Sequence, residues 1–140
     1  MINNNFQKKL KNKEFVFTAE TSPPDSTIRS EITERVLCLK DLADAINVTD
    51  GASAKSHLSS LVVSSIIKDI GIEPILQLTT RDRNRIAIQS DLLGAWTLKI
   101  QNILCIYGDQ VETGDQPETK EVRDLDTLGV INTANYFKKE

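Results

Sequence analysis

Polar residues follow short apolar runs at four places in this 140-residue chain, and their side chains are types that catalyse or bind. The four places are Glu20, Thr49, Gln77 and the segment 107–109, which reads Tyr, Gly, Asp. Carboxylates can transfer protons, whereas hydroxyl and amide groups hold ligands through hydrogen bonds. The four positions are therefore the first candidates for chemistry.

Glu20 stands at the end of an apolar run and before the polar, proline-containing segment 21–24. A carboxylate that is half-desolvated at the mouth of a barrel could act as a general acid. The alternative is a helix-capping or solvated loop carboxylate. Position alone favours neither interpretation strongly.

The next two places offer groups that hold ligands. Thr49, Asp50 and Ala52 lie in a tight turn with a hydroxyl, a carboxylate and exposed backbone N–H groups, and such turns can hold a cofactor ring or a phosphate. An ordinary turn between strand and helix is the commoner case. Gln77 is a lone amide between leucines, so it either faces a ligand or is satisfied by the backbone.

Gly108 permits close backbone approach after the fourth apolar run, and Asp109 beside it could orient a ligand. A nearby charged segment could bind phosphate or simply begin a charged helix; it comprises Arg81, Asp82, Arg83 and Arg85. The glycine-rich fingerprints of dinucleotide-binding folds and P-loops are absent from the sequence.

The apolar runs predict four β-strands, at Phe15–Glu20, Ala45–Thr49, Glu73–Leu78 and Asn102–Ile106. They begin every 28 to 30 residues, and a helical pattern fills each gap. This repeat predicts parallel βα units of the (β/α)₈ TIM-barrel type in a single domain spanning residues 1–140. Since a complete barrel needs about 250 residues, we expect about four units, which is half a barrel. Active sites of such folds lie at the carboxyl ends of the strands.

Apolar spacing places the helices between these strands. The first begins near Ser26 or Thr27, after Pro23 and Pro24 break the chain; its predicted buried stripe is Ile28, Ile32, Val36, Leu39 and Leu42. The predicted buried stripe of the second helix is Leu58, Leu61, Val62, Ser65 and Ile66.

The ends of the remaining helices are marked by glycine and aspartate. Gly71 suits the left-handed position that ends the second helix. The third runs from about Ile86 to Leu98, with Gly94 expected to pack closely against the sheet. A long polar loop follows, and Asp124 is the expected N-cap of a last helix that reaches Phe137.

Composition narrows the possible partners. The net charge is −3, and the densest basic runs, residues 8–13 and 138–139, lie at the termini, where solvated ends are the expected structure. Nothing in this balance indicates a nucleic-acid partner. Residues 1–13 lack the apolar stretch of a signal peptide, and no run is long enough to span a membrane.

Two cysteines, Cys38 and Cys105, lie in apolar segments and are expected to be buried free thiols, as in a reducing cytoplasm. With His57 as the single histidine, the ligands are too few and wrongly spaced for a zinc site, so no metal is expected.

Five segments in order resemble the methylenetetrahydrofolate reductase family: residues 17–24, 47–52, 74–85, 102–109, and 114–118 together with 124–126. The closest likeness is to the branch whose reductase domain is also found fused to a homocysteine methyltransferase domain. The resemblance implies a cytoplasmic flavoprotein barrel that serves methionine biosynthesis. It would pass a hydride from NAD(P)H through FAD to 5,10-methylenetetrahydrofolate, forming 5-methyltetrahydrofolate.

The same resemblance implies roles for individual residues. Glu20 would be the general acid that helps to open the folate ring, and Asp109 would lie near the flavin and the pterin. The residues implied to line the FAD are Thr49, Asp50, Ala52, Gln77, Tyr107, Gly108 and Asp109. This chain departs from the family at Gln77, where His is frequent, and at Tyr107, where Arg or Thr is frequent.

Three interpretations stay open at this point. The first is an oxidoreductase completed by a second copy or by another chain. The second is a non-catalytic half-barrel that self-associates through open sheet edges. The third is an unrelated α/β domain that binds phosphate through residues 81–85.

Overall fold

The structure is a computed structural model and describes residues 5–137. Four strands form one parallel sheet in sequential order: β1 (Thr18–Thr21), β2 (Ala45–Val48), β3 (Pro74–Thr79) and β4 (Asn102–Ile106). Helices alternate with them: α1 (Asn5–Lys11), α2 (Arg29–Leu37), α3 (Ser60–Asp69), α4 (Arg85–Thr97) and α5 (Thr127–Phe137). The predicted α/β fold with a parallel sheet is therefore confirmed, with strand limits within three residues of those expected.

Strand β1 begins later than predicted because an aspartate competes for its backbone. The N–H group of Phe17 donates to the carboxylate of Asp44 at 3.0 Å, and the carbonyl of Phe17 accepts from the backbone of Asp44 at 2.8 Å. Phe15 lies outside the sheet and is 86% exposed. Phe17, which directly precedes β1, is 53% exposed.

The helices pack on one face of the sheet, as the alternation of side chains requires. Leu76 and Leu78 of β3 belong to apolar clusters formed with α4 and α5, and Val48 belongs to a cluster formed with α2 and α3. The intervening residues, including Gln77, point to the opposite face. That face carries the polar strand ends.

Two helical stripes differ from their predictions. Helix α2 ends at Leu37, and Leu42, predicted to be buried, is 71% exposed. The buried residues of α3 are Ser60, Val63, Ser64, Ile66 and Ile67, whereas Val62 is exposed. The predicted stripe of α3 is one residue out of phase, because it contains Val62 and Ser65 where the buried face has Val63 and Ser64.

Two local predictions also differ from the structure, and a third is untested. Residues 5–11 form α1, which polar contacts anchor: Lys9 pairs with Asp44 at 2.5 Å. The N-terminus of α5 is capped by Asp126, whose carboxylate accepts from the N–H group of Gly129 at 2.7 Å; Asp124 instead accepts from the backbone of Arg85. Residues 138–139 lie outside the described part of the chain.

The packing of Gly94 and the state of the cysteines need correction too. A Cβ at Gly94 would lie 3.3 Å from the side chain of Leu61, so the close approach is to α3 and not to the sheet. Cys38 is exposed, because it directly follows the last turn of α2, and Cys105 is half-buried. Burial raises the pKa of the Cys105 thiol. Between residues 5 and 137 no helix is long and apolar enough to cross a membrane.

Helices α3 and α4 end in the same hydrogen-bonded motif. After α3, Gly71 donates to Lys68 and Ile72 donates to Ile67; after α4, Lys99 donates to Trp96 and Ile100 donates to Ala95. This is the Schellman arrangement, whose central residue adopts positive φ. The φ angles are +82° at Gly71 and +59° at Lys99, so the predicted left-handed end at Gly71 is confirmed, and Lys99 adopts the same conformation with a side chain.

The two motifs provide a matched pair of substitutions. Gly71→Ala should lower the free energy of unfolding by about 1–2 kcal/mol, because alanine is strained at positive φ. No clash contributes, since the nearest atom to the added Cβ is Lys40 Nζ at 3.8 Å. Lys99→Gly should raise it by up to about 1 kcal/mol, because relief of strain exceeds the entropy glycine adds to the unfolded chain. Urea unfolding of both variants measures the difference; a loss of stability in both would contradict this account.

Candidate functional site

A depression of about 390 Å³ lies at the carboxyl ends of the four strands. Its lining residues are Glu20, Thr49, Asp50, Ala52, Gln77, Ile106, Gly108 and Asp109. Because the strands are parallel, all four carboxyl ends meet at one edge of the sheet. The structure therefore brings together seven of the eight residues singled out from the sequence; the eighth, Tyr107, lies beside the depression.

Glu20 and Gln77 meet across the sheet although β2 lies between their strands. Gln77 Nε2 donates to Glu20 Oε2 at 3.4 Å. Gln77 is buried, whereas Glu20 is exposed and not half-desolvated as expected. The reason is that β1 is an edge strand of the described sheet, so solvent reaches its side chains from one side.

The buried residues directly after β2 mainly hold together the rim of the depression, which the loops after the four strands form. Thr49 Oγ1 donates to Ser22 Oγ at 3.2 Å, which ties β2 to the loop after β1. Asp50 is only 8% exposed and accepts from Ser60 Oγ at 3.0 Å and from the N–H group of Thr79 at 2.9 Å.

The carboxylate of Asp50 also accepts hydrogen bonds from both Nη atoms of Arg83, at 2.6 and 3.2 Å. Arg83 Nε donates to Asp91 at 2.8 Å. Burial disfavours the charge on Arg83, but the carboxylates of Asp50 and Asp91 outweigh it and raise the pKa of the guanidinium. Asp50 therefore joins β2, β3, α3 and α4 in one polar network.

The turn after β2 has an unusual backbone. Gly51, Ser53 and Ala54 all have positive φ, at +58°, +57° and +53°. Asp109 Oδ2 accepts from the N–H group of Ser53 at 2.8 Å, so the loop after β4 stabilises this turn. Gly114 packs against the same turn, because a Cβ there would lie 2.2 Å from the carbonyl O of Ala54. Strained residues held in this way cluster at ligand sites.

Gly108 is the second residue after β4, and no other residue could replace it without movement of its neighbours. Its φ is +87°, and a Cβ would lie 2.1 Å from Thr79 Oγ1. Tyr107 is 51% exposed, and the guanidinium of Arg123 lies 3.8 Å from the centre of its ring. Arg123 also pairs with Glu121, and the hydrogen bond between them raises the pKa of Arg123 and lowers that of Glu121.

The charged segment after β3 is engaged by the protein itself. Arg81 donates to Asp82 at 2.7 and 2.8 Å, while Arg83 is bound by Asp50 and Asp91. Their guanidinium groups are therefore not directed outward as a phosphate site requires, which counts against the third interpretation. Between residues 5 and 137 no group of three His, Cys, Asp or Glu side chains is arranged to hold a metal ion.

The sequence did not single out Ser60 or Arg123, and it indicated for Arg81 only a phosphate site or a charged helix start, although all three hold the loops around the depression. The available signal was a run of seven polar residues, 79–85, directly after the most buried strand. A second depression, of about 500 Å³, lies at the opposite end of the strands, where paired lysines and carboxylates line it. We assign the chemistry to the carboxyl ends, because parallel sheets bind ligands there.

The fold is an α/β domain with a parallel sheet, and its depression lies at the carboxyl ends of the strands, where open sheets of this class commonly bind ligands. The family model described as methylenetetrahydrofolate reductase matches residues 5–138, nearly the whole chain. The chain therefore belongs to the methylenetetrahydrofolate reductase family, a family of oxidoreductases in folate one-carbon metabolism. The resemblance inferred from the sequence is confirmed. Comparison with the curated proteins finds no match to this chain.

Proposed function

We propose that the chain is a flavin-dependent oxidoreductase that reduces 5,10-methylenetetrahydrofolate to 5-methyltetrahydrofolate with NAD(P)H and FAD. We further propose that residues 1–140 form one domain, equivalent to the N-terminal half of a (β/α)₈ barrel. The observation that carries this proposal is the depression that gathers Glu20, Gln77 and Asp109 at one edge of the sheet. Family membership supplies the reaction class.

The lining of the depression suits one planar, polar-edged ring. Gln77 supplies an amide donor and acceptor, Thr49 supplies a hydroxyl, and Ile106 supplies apolar surface. A volume of about 390 Å³ lies within the usual range of ligand pockets. The residues present therefore fit the flavin ring, and we assign Thr49, Asp50, Ala52, Gln77, Gly108 and Asp109 to hold it, with Tyr107 alongside. When bound, FAD would relay the hydride from NAD(P)H to the folate.

Glu20 is the proposed proton donor. Its carboxyl group would give a proton to the folate nitrogen whose bond to the methylene carbon breaks, and the electrons of that bond stay on the nitrogen. The amide of Gln77 lies 3.4 Å from Glu20 and fixes the direction of the carboxyl group. The cationic carbon–nitrogen double bond that results is the form of the substrate that accepts hydride.

Asp109 would act through its charge. Its carboxylate is held by the N–H group of Ser53 at 2.8 Å and lines the same depression as Glu20. A fixed negative charge stabilises a cation that develops nearby. Asp109 is therefore proposed to favour the opened, cationic folate.

Titration of FAD with the purified chain tests the proposal. We expect the fluorescence of FAD to change saturably and the isolated protein to be yellow. Gly108→Ala should weaken binding by at least about tenfold, because the added Cβ must displace Thr79 Oγ1, which lies 2.1 Å away, and with it the rim. Gly129→Ala is the matched control, since Gly129 lies in α5, away from the depression. A colourless protein with no response to excess FAD would contradict the proposal.

One observation favours a second function, that of an interaction module without catalysis. Strands β1 and β4 are the edges of the described sheet, and Leu104 of β4 is 43% exposed on the face that lacks helices. Open edges of this kind pair with other strands. Strands from a second copy or a complementing chain would then pair with β1 or β4 and help to cover the face that carries Leu104. The solution mass decides: a dimer without flavin supports the module, and a monomer with bound flavin contradicts it.

A further inference from the structure

A buried arginine connects the loops that line the depression. Arg81 is the second residue after the end of β3, and it is 4% exposed. Its Nη1 atom donates to the carbonyl O of Gly51 at 3.1 Å and to that of Asp109 at 3.4 Å. A single guanidinium group therefore bridges the turn after β2 and the loop after β4.

The orientation of this guanidinium is fixed from several sides. Asp82 accepts from Nε and Nη2 at 2.7 and 2.8 Å, so all three nitrogen atoms of the guanidinium are engaged. The backbone of Arg81 is held separately, since its carbonyl accepts from the N–H group of Val122 at 2.8 Å. The hydrogen bond with Asp82 raises the pKa of Arg81 more than burial lowers it, so the group stays charged. A Cβ at Gly51 would lie 2.4 Å from Nη2, so the turn leaves no more room than the arginine needs.

We infer that Arg81 is a positioning residue that sets the distance between the two loops and so preforms the depression. The carbonyl groups of Gly51 and Asp109 both accept from the guanidinium of Arg81, and this places the carboxylate of Asp109 within reach of the N–H group of Ser53. Lysine cannot replace it, because an ammonium group is a point charge without the planar array of donors. The identity of the ligand rests on the proposed function; the coupling of the loops does not.

Amide hydrogen exchange of Arg81→Lys in the ligand-free chain tests the coupling. We expect the Ser53 amide to exchange about tenfold faster or more, because its bond to Asp109 opens locally, while amides of β3 keep their rates. The affinity for FAD should fall by a similar factor. Arg29→Lys is the control, because Arg29 is exposed and pairs only with Asp69 among the contacts described.

Each outcome decides for or against the inference. Unchanged exchange at Ser53, or an equal acceleration at all amides, would overturn it, since the second result reports global stability alone. If the unaltered chain binds no FAD, the proposed function fails, yet the exchange rates still decide this inference. If Arg81→Lys does not fold, Asp82→Ala replaces it, because the Asp82 side chain is 44% exposed and dispensable for the core. A selective acceleration at Ser53 is again expected, and its absence contradicts the inference.

Discussion

Glu20→Gln should lower kcat for the proposed reduction of methylenetetrahydrofolate by about 10²–10⁴-fold, which is the usual contribution of general acid catalysis. Glutamine has nearly the shape of glutamate and can still hydrogen-bond to Gln77, but its amide is not an acid and cannot transfer a proton to the substrate. The affinity for FAD should change little, because Glu20 is exposed at the edge of the depression. Steady-state kinetics with NAD(P)H measures the effect.

Separating the two halves of the reaction makes this prediction specific. Reduction of the flavin by NAD(P)H, followed with an artificial electron acceptor, should proceed at the same rate in Glu20→Gln as in the unaltered protein. Glu34→Gln is the matched control, since Glu34 is an exposed carboxylate on α2. Equal losses in both halves would show that Glu20 maintains the site and does not donate the proton.

Asp50→Ala should lower the free energy of unfolding by about 3 kcal/mol, the lower end of the usual cost of removing one partner of a buried ion pair, because Asp91 still pairs with Arg83. The substitution leaves Arg83 without the carboxylate that lies 2.6 Å away, and it leaves the N–H group of Thr79 without its acceptor at 2.9 Å. Both groups are largely shielded from water. Urea unfolding measures the loss.

The matched control is Asp69→Ala, which removes a surface ion pair with Arg29. Both side chains of that pair are more than half exposed, so the expected cost is below about 1 kcal/mol. Similar losses in the two variants would contradict the central place of Asp50 in the rim. Since Asp50 joins four elements, its loss should also weaken FAD binding in any protein that remains folded.

The sequence predicted the sheet well because its strands are short, apolar and evenly spaced. Residues 74–78 are apolar apart from Gln77, and a short run of that kind followed by polar residues is typical of a β-strand. The stripe of α3 was predicted one residue out of phase, because Ser60 and Ser64 on its buried face weaken the apolar periodicity that fixes the phase. Helix α1 was missed for a related reason: its contacts are polar, such as Lys9 with Asp44.

The candidate site was predictable in outline, since the ends of parallel strands must meet at one edge. The exposure of Glu20 was not, because it depends on which strand is an edge of the sheet. Nor could the sequence reveal that Arg81 binds the carbonyl groups of Gly51 and Asp109, which are 28 to 30 residues away along the chain. Contacts of this length follow from tertiary packing and leave no local pattern.

The most direct test of the proposed function is anaerobic mixing of the FAD-loaded protein, first with NAD(P)H and then with methylenetetrahydrofolate. We predict that NAD(P)H bleaches the visible absorbance of the flavin, that the folate restores it, and that 5-methyltetrahydrofolate appears in equal amount. A flavin that NAD(P)H reduces but the folate fails to reoxidise, or one that NAD(P)H does not reduce, would contradict the account.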